Sequence, residues 1–100
     1  MYRMIRSFTD DTTRDLFAGI NSTAARRIPQ RLWRVAQWKL KQVDLAAQLA
    51  DLDIPPANRL EPLKGERRGR HSIRVNDQYR MTFRWERTDA YDVCCEDYHS

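Results

Sequence analysis

The periodicity of apolar residues changes near the middle of this chain, at the consecutive prolines Pro55 and Pro56. Before them, apolar side chains recur every three or four residues, which is the spacing of an amphipathic helix. After them, apolar and polar side chains alternate, as in a strand with one buried face. Consecutive prolines disfavour helix in the residue before them, so they mark the boundary. The sequence therefore predicts an α+β domain with helices first and antiparallel strands after.

Two helices are expected before the prolines. Residues 4–8 predict a short strand, and residues 9–12 offer capping side chains for a first helix that contains Leu16, Phe17 and Ile20. The second helix is expected from about Ala24 to Leu52, with Pro29 tolerated only near its start. Together they would form a helical hairpin that packs on one side of a sheet.

Four strands are expected after the prolines, with short turns between them. Their predicted spans are 59–63, 71–75, 79–85 and 90–96, and residues 64–69 form a basic turn between the first two. In the third strand the apolar side chains share one face, namely Met81, Phe83 and Trp85. The polar ones share the other, namely Arg80, Thr82 and Arg84. If the helices cover the apolar face, Arg80 and Arg84 should lie on an open one, together with Ser72 and Arg74.

The charge of the chain favours a polyanionic partner. It has 18 Lys and Arg against 14 Asp and Glu, a net charge of +4. Residues 59–84 alone contain eight basic and three acidic side chains, and the balance reverses after them. The basic residues are mostly arginines, whose planar guanidinium suits phosphate contacts and base stacking. Nucleic acid is therefore the leading class of partner.

Several other classes are disfavoured. Three glycines do not form a phosphate-binding loop, and two histidines with two adjacent cysteines do not make a zinc spacing, so we expect no metal and no cofactor. Cys94 and Cys95 should point to opposite faces of one strand, as reduced thiols of a cytoplasmic protein. A nucleophilic cysteine with His99 is the minor alternative. Residues 1–8 lack the apolar core of a signal peptide, and no segment is long enough to span a membrane.

The residue types also allow RNA cleavage without a metal. The 2′-hydroxyl can attack the neighbouring phosphorus if a base, an acid and fixed cations are present. The candidates are His99, which titrates near neutral pH, with Asp97 and Tyr98 beside it, and the cations Lys64, Arg67 and Arg80. Taken singly, each of these is more often a solvated charge, a strand cap or a packing group.

Four segments together resemble the HigB-type toxins of the RelE/ParE superfamily. They are residues 4–8 (MIRSF), 59–65 (RLEPLKG), 71–76 with 79–83 (HSIRVN and YRMTF), and 96–99 (EDYH). The resemblance implies a RelE-like fold over residues 1–100, a single domain with a helical hairpin on a curved antiparallel sheet of about four to five strands. It also implies ribosome-dependent cleavage of messenger RNA, and a HigA-like helix-turn-helix antitoxin with which the toxin would bind operator DNA.

The resemblance also implies a set of site residues. The catalytic set would be Lys64, Arg67, Arg80, Asp97, Tyr98 and His99. Arg80 and Lys64 would hold the phosphate, and His99 would transfer protons. The arginines expected to bind RNA around them are Arg59, Arg68, Arg70, Arg74 and Arg84.

The chain also departs from the family pattern at several positions. Glu61 stands where some members have histidine, Arg67 replaces a lysine, and residues 1–3 precede the usual start.

Two other functions stay open from the sequence. One is a ParE-like toxin that inhibits gyrase and cleaves nothing, using the same scaffold to bind a protein. The other is an inactive nucleic-acid-binding module kept for control of its operon. The first has no need of the acid–base set at residues 97–99, and binding by the second should be spread over many arginines and fall steeply with salt.

Overall fold

A computed structural model describes residues 4–98 of the chain. It contains two α-helices, α1 (Asp11–Ala18) and α2 (Trp33–Leu45), and four strands, β1 (Glu61–Pro62), β2 (Arg70–Arg74), β3 (Tyr79–Glu86) and β4 (Asp89–Asp97). The strands form one antiparallel sheet in the order β1-β2-β3-β4. The predicted α+β class and the meander of strands are confirmed. Within residues 4–98, no helix is long and apolar enough to cross a bilayer.

The first helix begins within the segment of predicted capping residues and ends before Gly19. Asp10 accepts a hydrogen bond from the amide of Thr13 at 2.9 Å, which caps the N-terminus of α1. Gly19 ends the helix in the left-handed region, with φ of 76°, and its amide donates to the carbonyl of Leu16 at 3.2 Å. Ile20 therefore lies beyond the helix and is exposed, so the prediction that the first helix contains it is wrong.

The second helix is shorter than predicted at both ends. Short 3-10 segments precede α2, at Ala25–Arg27 and Gln30–Leu32, because Pro29 between them has no amide hydrogen to donate. At the other end Asp51 accepts from the amides of Ala47 and Gln48 at 3.0 and 3.2 Å, which turns the chain out of the helix. The prediction of one helix over residues 24–52 is therefore wrong.

Residues 4–8 lie along β4 but make only two isolated parallel bridges, Ile5 to Ala90 and Phe8 to Val93. The predicted strand is thus an extended segment with sparse pairing. Asp44 of α2 holds its start, since one carboxylate oxygen accepts from the amides of both Met4 and Ile5 at 3.1 Å. This contact joins the segment to the helical layer.

The core lies between α2 and the sheet. Met81 and Phe83 of β3 are fully buried, as are Leu40 and Val43 of α2, and Trp85 packs against this cluster half-buried. The face of β3 that was predicted to be apolar is therefore the one that the helices cover. The strand predicted over residues 59–63 is reduced to Glu61–Pro62 because Arg59 has a positive φ of 48° that strand pairing does not accommodate.

Asn58 connects the helical layer to the loop before β1. Its side chain is fully buried, donates to the carbonyl of Leu52 at 3.0 Å, and accepts a hydrogen bond from the ammonium of Lys39. Burial lowers the pKa of Lys39, and nearby Arg74 lowers it further. Asn58 thereby determines where the next residue, Arg59, places its carbonyl.

Replacement of Asn58 by alanine should lower the free energy of unfolding by about 2 kcal/mol, because it leaves a cavity and an unpaired buried carbonyl. Urea denaturation followed by tryptophan fluorescence measures this. Asn21→Ala is the matched control, since Asn21 is exposed and, among residues 4–98, its side chain forms a hydrogen bond only with Arg26. Equal effects of the two substitutions would contradict the assigned role of Asn58.

Candidate functional site

The sheet face opposite the helices collects most of the predicted site residues. Ser72 lies opposite Thr82 in the pairing of β2 with β3, and Arg80 lies opposite Glu96 in the pairing of β3 with β4. Glu61 of β1 lies opposite Ser72 and extends the same face. Alternation places all of these side chains on one side of the sheet.

Arg80 is at the centre of this face and is largely buried, with 9% of its surface exposed. Its Nε donates to Ser72 Oγ at 2.8 Å, and its Nη2 donates to the carbonyl of Arg59 at 2.6 Å. The expectation of an open face is therefore wrong at Arg80, because the Arg59 loop and the neighbouring strand enclose its side chain. Within residues 4–98, Nη1 of Arg80 makes no hydrogen bond, so one edge of the guanidinium remains available.

Glu61 and one further predicted residue, Tyr98, lie against Arg80. The carboxylate of Glu61 is 3.7 Å from Nη2, and the ring of Tyr98 lies 5.4 Å from the guanidinium carbon, within cation–π range. The amide of Tyr98 donates to the carbonyl of Gln78 at 2.8 Å, which holds the end of β4 near the turn before β3. Asp97 accepts from the side chain of Gln78 at 2.9 Å. His99 lies outside the described residues.

Arg67 comes from the basic turn and is held by a carboxylate that sequence reasoning did not select. Its Nη1 and Nη2 donate to the two oxygens of Glu96 at 2.9 and 2.6 Å. Thr82 donates its hydroxyl to Glu96 at 2.6 Å. Burial raises the pKa of Glu96, but the hydrogen bonds from Arg67 and Thr82 outweigh this and leave it below its ordinary value. Glu96 is therefore ionised at neutral pH.

Glu96, Thr82 and Ser72 are the residues of this face that the predicted site omits. Alternation already places Ser72 and Thr82 on this face, since each is two residues from an arginine of the predicted site on its own strand. Glu96 is one residue from Asp97, the predicted site residue of β4, so alternation does not select it. The sequence has no comparable signal for the pairing of Glu96 with Arg67.

The remaining predicted cations fall into two groups. Arg59, Lys64 and Arg68 are exposed, and their side chains have no ion pair or hydrogen bond with any described residue. The others are held by neighbours: Arg70 by Thr82 and Asp92, Arg74 by Asp77, and Arg84 by Glu86, Asp92 and the ring of Tyr91. Fewer arginines are therefore free for RNA than the sequence suggests.

A depression of about 410 Å³ opens beside the Arg67–Glu96 pair. It is lined by Phe8, Thr9, Arg67, Arg70, Asp92, Cys94 and Glu96. Two larger depressions, of about 640 and 600 Å³, lie along α2 and are lined by none of the predicted site residues.

The two thiols and His71 have no catalytic geometry. Cys94 and Cys95 are free and buried on opposite sides of β4, as predicted. Burial raises the pKa of each thiol to about 12, so neither forms the thiolate that a nucleophile needs. His71 stacks on Phe83 with ring centroids 6.3 Å apart, and burial lowers its pKa, so its imidazole is neutral at neutral pH.

Comparison with known proteins connects this geometry to a family. Residues 6–99 match the family model of RelE-like toxins of the type II toxin-antitoxin system HigB. The chain is a HigB-like toxin. The resemblance predicted from the four sequence segments is confirmed.

Curated relatives agree with this assignment. The toxin is 47% identical to Toxin HigB-1 of Vibrio cholerae over 60 residues, which are 60% of this chain and 63% of that protein. It is 34% identical to Endoribonuclease HigB of Proteus vulgaris over 97 residues, 96% of this chain and 100% of the relative. The matches to the Vibrio cholerae protein and to one of Haemophilus influenzae each span slightly under two thirds of the relative, 63% and 66%.

Solved structures place the HigB-like toxin in the same fold group. The YoeB–YefM complex from Staphylococcus aureus matches with a TM-score of 0.55 and 15% identity, covering 96% of this chain and 98% of that one. A YoeB/ParE toxin from Agrobacterium tumefaciens matches with a TM-score of 0.50 and 17% identity, over 94% and 99% of the two chains. At these identities the likeness shows the fold alone, and it confirms the RelE-like architecture.

Both thiols of this HigB-like toxin should resist modification in the native state. With pKa values of about 12, they are expected to react with a disulfide reagent near pH 8 at least about tenfold more slowly than free cysteine. The release of the coloured thiolate measures the rate. The same protein in denaturant is the control and should react promptly at both thiols. Prompt reaction of the native protein would contradict the burial of Cys94 and Cys95.

Proposed function

We propose that this toxin is an endoribonuclease that cleaves messenger RNA on the ribosome by attack of the 2′-hydroxyl, without a metal. The observation that carries the proposal is the anchored guanidinium of Arg80, which keeps one free edge beside Glu61 and Tyr98. The name and the near-complete alignment of the Proteus vulgaris relative support the same activity.

Arg80 and Lys64 bind the scissile phosphate in this proposal. Arg80 is already held by Ser72 and the carbonyl of Arg59, so it needs little rearrangement as charge grows on the phosphoryl oxygens. Its burial lowers the local dielectric and strengthens its attraction for that charge. Lys64 is exposed in the adjoining turn and adds a second, mobile cation.

Proton transfer in this proposal is carried out by residues near the C-terminal end of the sequence and by Glu61 of β1. A base takes the proton of the 2′-hydroxyl, the 2′-oxygen attacks phosphorus, and the bond to the 5′-oxygen breaks as an acid protonates it. The products are a 2′,3′-cyclic phosphate and a 5′-hydroxyl. We assign acid–base chemistry to His99, with Asp97 orienting it. Glu61 lies 3.7 Å from Arg80 and so next to the phosphate that Arg80 binds in this proposal. Its carboxylate is a second candidate for the base.

Tyr98 stacks on a base of the message, because its exposed ring already lies over a cation on the same face. Arg59 and Arg68 contact the RNA backbone with their unpaired side chains, and Arg70, Arg74 and Arg84 shape the rim of the site. Gyrase inhibition and passive binding of nucleic acid are the outcomes that replace this proposal if no message is cut.

We further propose that a HigA-like helix-turn-helix antitoxin restrains the toxin in the cytoplasm, and that the pair binds operator DNA. The Staphylococcus aureus structure of similar fold is a complex named YoeB–YefM, which supports pairing with an antitoxin in general. An enzyme that stops translation also needs such a partner to be tolerated by its own cell.

Induction of the toxin without an antitoxin should produce new messenger 5′ ends within minutes, and Arg80→Ala or His99→Gln should abolish them. Primer extension on abundant messages detects the ends. Lys64→Ala should reduce cleavage about tenfold or more through the loss of one phosphate contact. Lys41→Ala, a lysine exposed on the helical layer, is the matched control and should cut like the parent chain.

Because Arg80 is buried, thermal unfolding of each variant must accompany this experiment. Growth arrest with intact messages would overturn the proposal in favour of gyrase or another protein target. No arrest at all would leave a binding module.

The purified toxin should cleave free RNA far more slowly than the same RNA on programmed ribosomes. A small open site cannot align a flexible message by itself, and alignment is worth several orders of magnitude in rate. Single-turnover cleavage of one labelled message, with and without ribosomes, measures the difference. Equal rates would show that the ribosome contributes no alignment.

A further inference from the structure

We propose that Glu96 is a positioning residue for the cleavage reaction: it holds the guanidinium of Arg67 on the catalytic face beside Arg80. The inference rests on the proposed function, since it assigns Arg67 a part in the reaction. It adds a carboxylate that acts through another residue and touches no RNA.

Glu96 accepts hydrogen bonds both from the basic turn and from the neighbouring strand β3. Arg67 donates two hydrogen bonds to its oxygens, at 2.9 and 2.6 Å, in the parallel geometry that gives guanidinium–carboxylate pairs their directional strength. Thr82, fully buried, donates a third at 2.6 Å from within the sheet. Glu96 is therefore itself anchored before it orients Arg67.

Arg67 needs a partner to fix its side chain because its backbone belongs to a short turn. It ends the short 3-10 segment Gly65–Arg67, whose hydrogen bonds are local: the amide of Arg67 donates to the carbonyl of Lys64 at 3.3 Å. A long arginine side chain on such a turn would otherwise sample many rotamers. The pairing selects one of them and joins the turn to β4 through this side chain.

The pairing leaves Arg67 able to bind a phosphate. A guanidinium has five N–H donors, and a two-pronged pair with a carboxylate uses only two. Nε of Arg67 makes no hydrogen bond with any residue from 4 to 98. Nη2 also lies 3.5 Å from Thr82 Oγ1, so Nε is the donor that is left to bind a phosphate. Glu96 lies directly across from Arg80 in the sheet, which places this pair next to Arg80.

Electrostatics alone predicts the opposite effect for Glu96. A carboxylate on a surface that receives RNA repels phosphate, so removing its charge should strengthen binding if repulsion were its only effect. Positioning predicts a loss of catalytic rate on the same substitution. Repulsion therefore predicts that Glu96→Gln makes the toxin more active, and positioning predicts that it makes the toxin less active.

The decisive experiment compares Glu96→Gln, Arg67→Ala and the double variant in single-turnover cleavage of a labelled message on programmed ribosomes. We expect Glu96→Gln to lower the maximal rate at least about tenfold while the concentration for half-maximal rate changes less than about twofold. In the Arg67→Ala background the same substitution should have no further effect. Glu96→Asp, which keeps the charge, should restore part of the rate. Glu66→Gln, an exposed carboxylate of the same turn, is the control and should behave like the parent chain.

Each other result overturns the inference in its own way. A faster Glu96→Gln enzyme would leave repulsion as the only role of the carboxylate. A further loss in the Arg67→Ala background would show that Glu96 acts independently of Arg67, through general stability or direct contact. If the Arg67→Ala variant cuts normally, Arg67 has no part in the reaction and Glu96 cannot act through it. The proposed ribonuclease activity would then be retained and only this inference refuted. A parent chain that cuts no message refutes the proposed function itself.

Discussion

The hydrogen bonds that hold the buried guanidinium of Arg80 connect every layer of this molecule to its site. A charge removed from water is costly unless polar partners replace the solvent, and here Ser72 and the carbonyl of Arg59 do so. Ser72 is positioned by the sheet, and Arg59 by Asn58, which is bonded to Lys39 of α2. The site is thus supported by the strands on one side and by the helical layer on the other.

How far the sequence predicts this arrangement depends on the range of the interactions involved. Alternation assigned Met81 and Phe83 to the core and Arg80 to the opposite face, because side-chain direction in a strand is set by the local backbone. The burial of Arg80 could not be predicted, since it depends on a loop that reaches it from Arg59, far away in the sequence. The length of α2 was overestimated for a similar reason: Asp51 turns the chain where periodicity alone would continue it.

The candidate site shows the same division. Family segments selected the positions of Lys64, Arg67 and Tyr98, and charge counting indicated a basic surface. Neither method predicted that Glu61 pairs with Arg80 or that Glu96 pairs with Arg67, because pairing between distant side chains has no signature in composition. The outcome is a face where the cations are arranged by carboxylates, and where only some of the arginines remain unpaired.

The path from Lys39 through Asn58 to Arg59 also bears on the genetics of such a protein. A mutation in Lys39 or Asn58 can allow a cell to survive the toxin, although neither side chain has to touch a substrate. Mutations found in surviving clones would therefore mark the residues that hold Arg80 in place as well as the residues that take part in cleavage. Loss of toxicity on substitution of the buried Asn58 would reflect a change in the fold. Only a variant that keeps its fold and loses toxicity identifies a residue needed for catalysis.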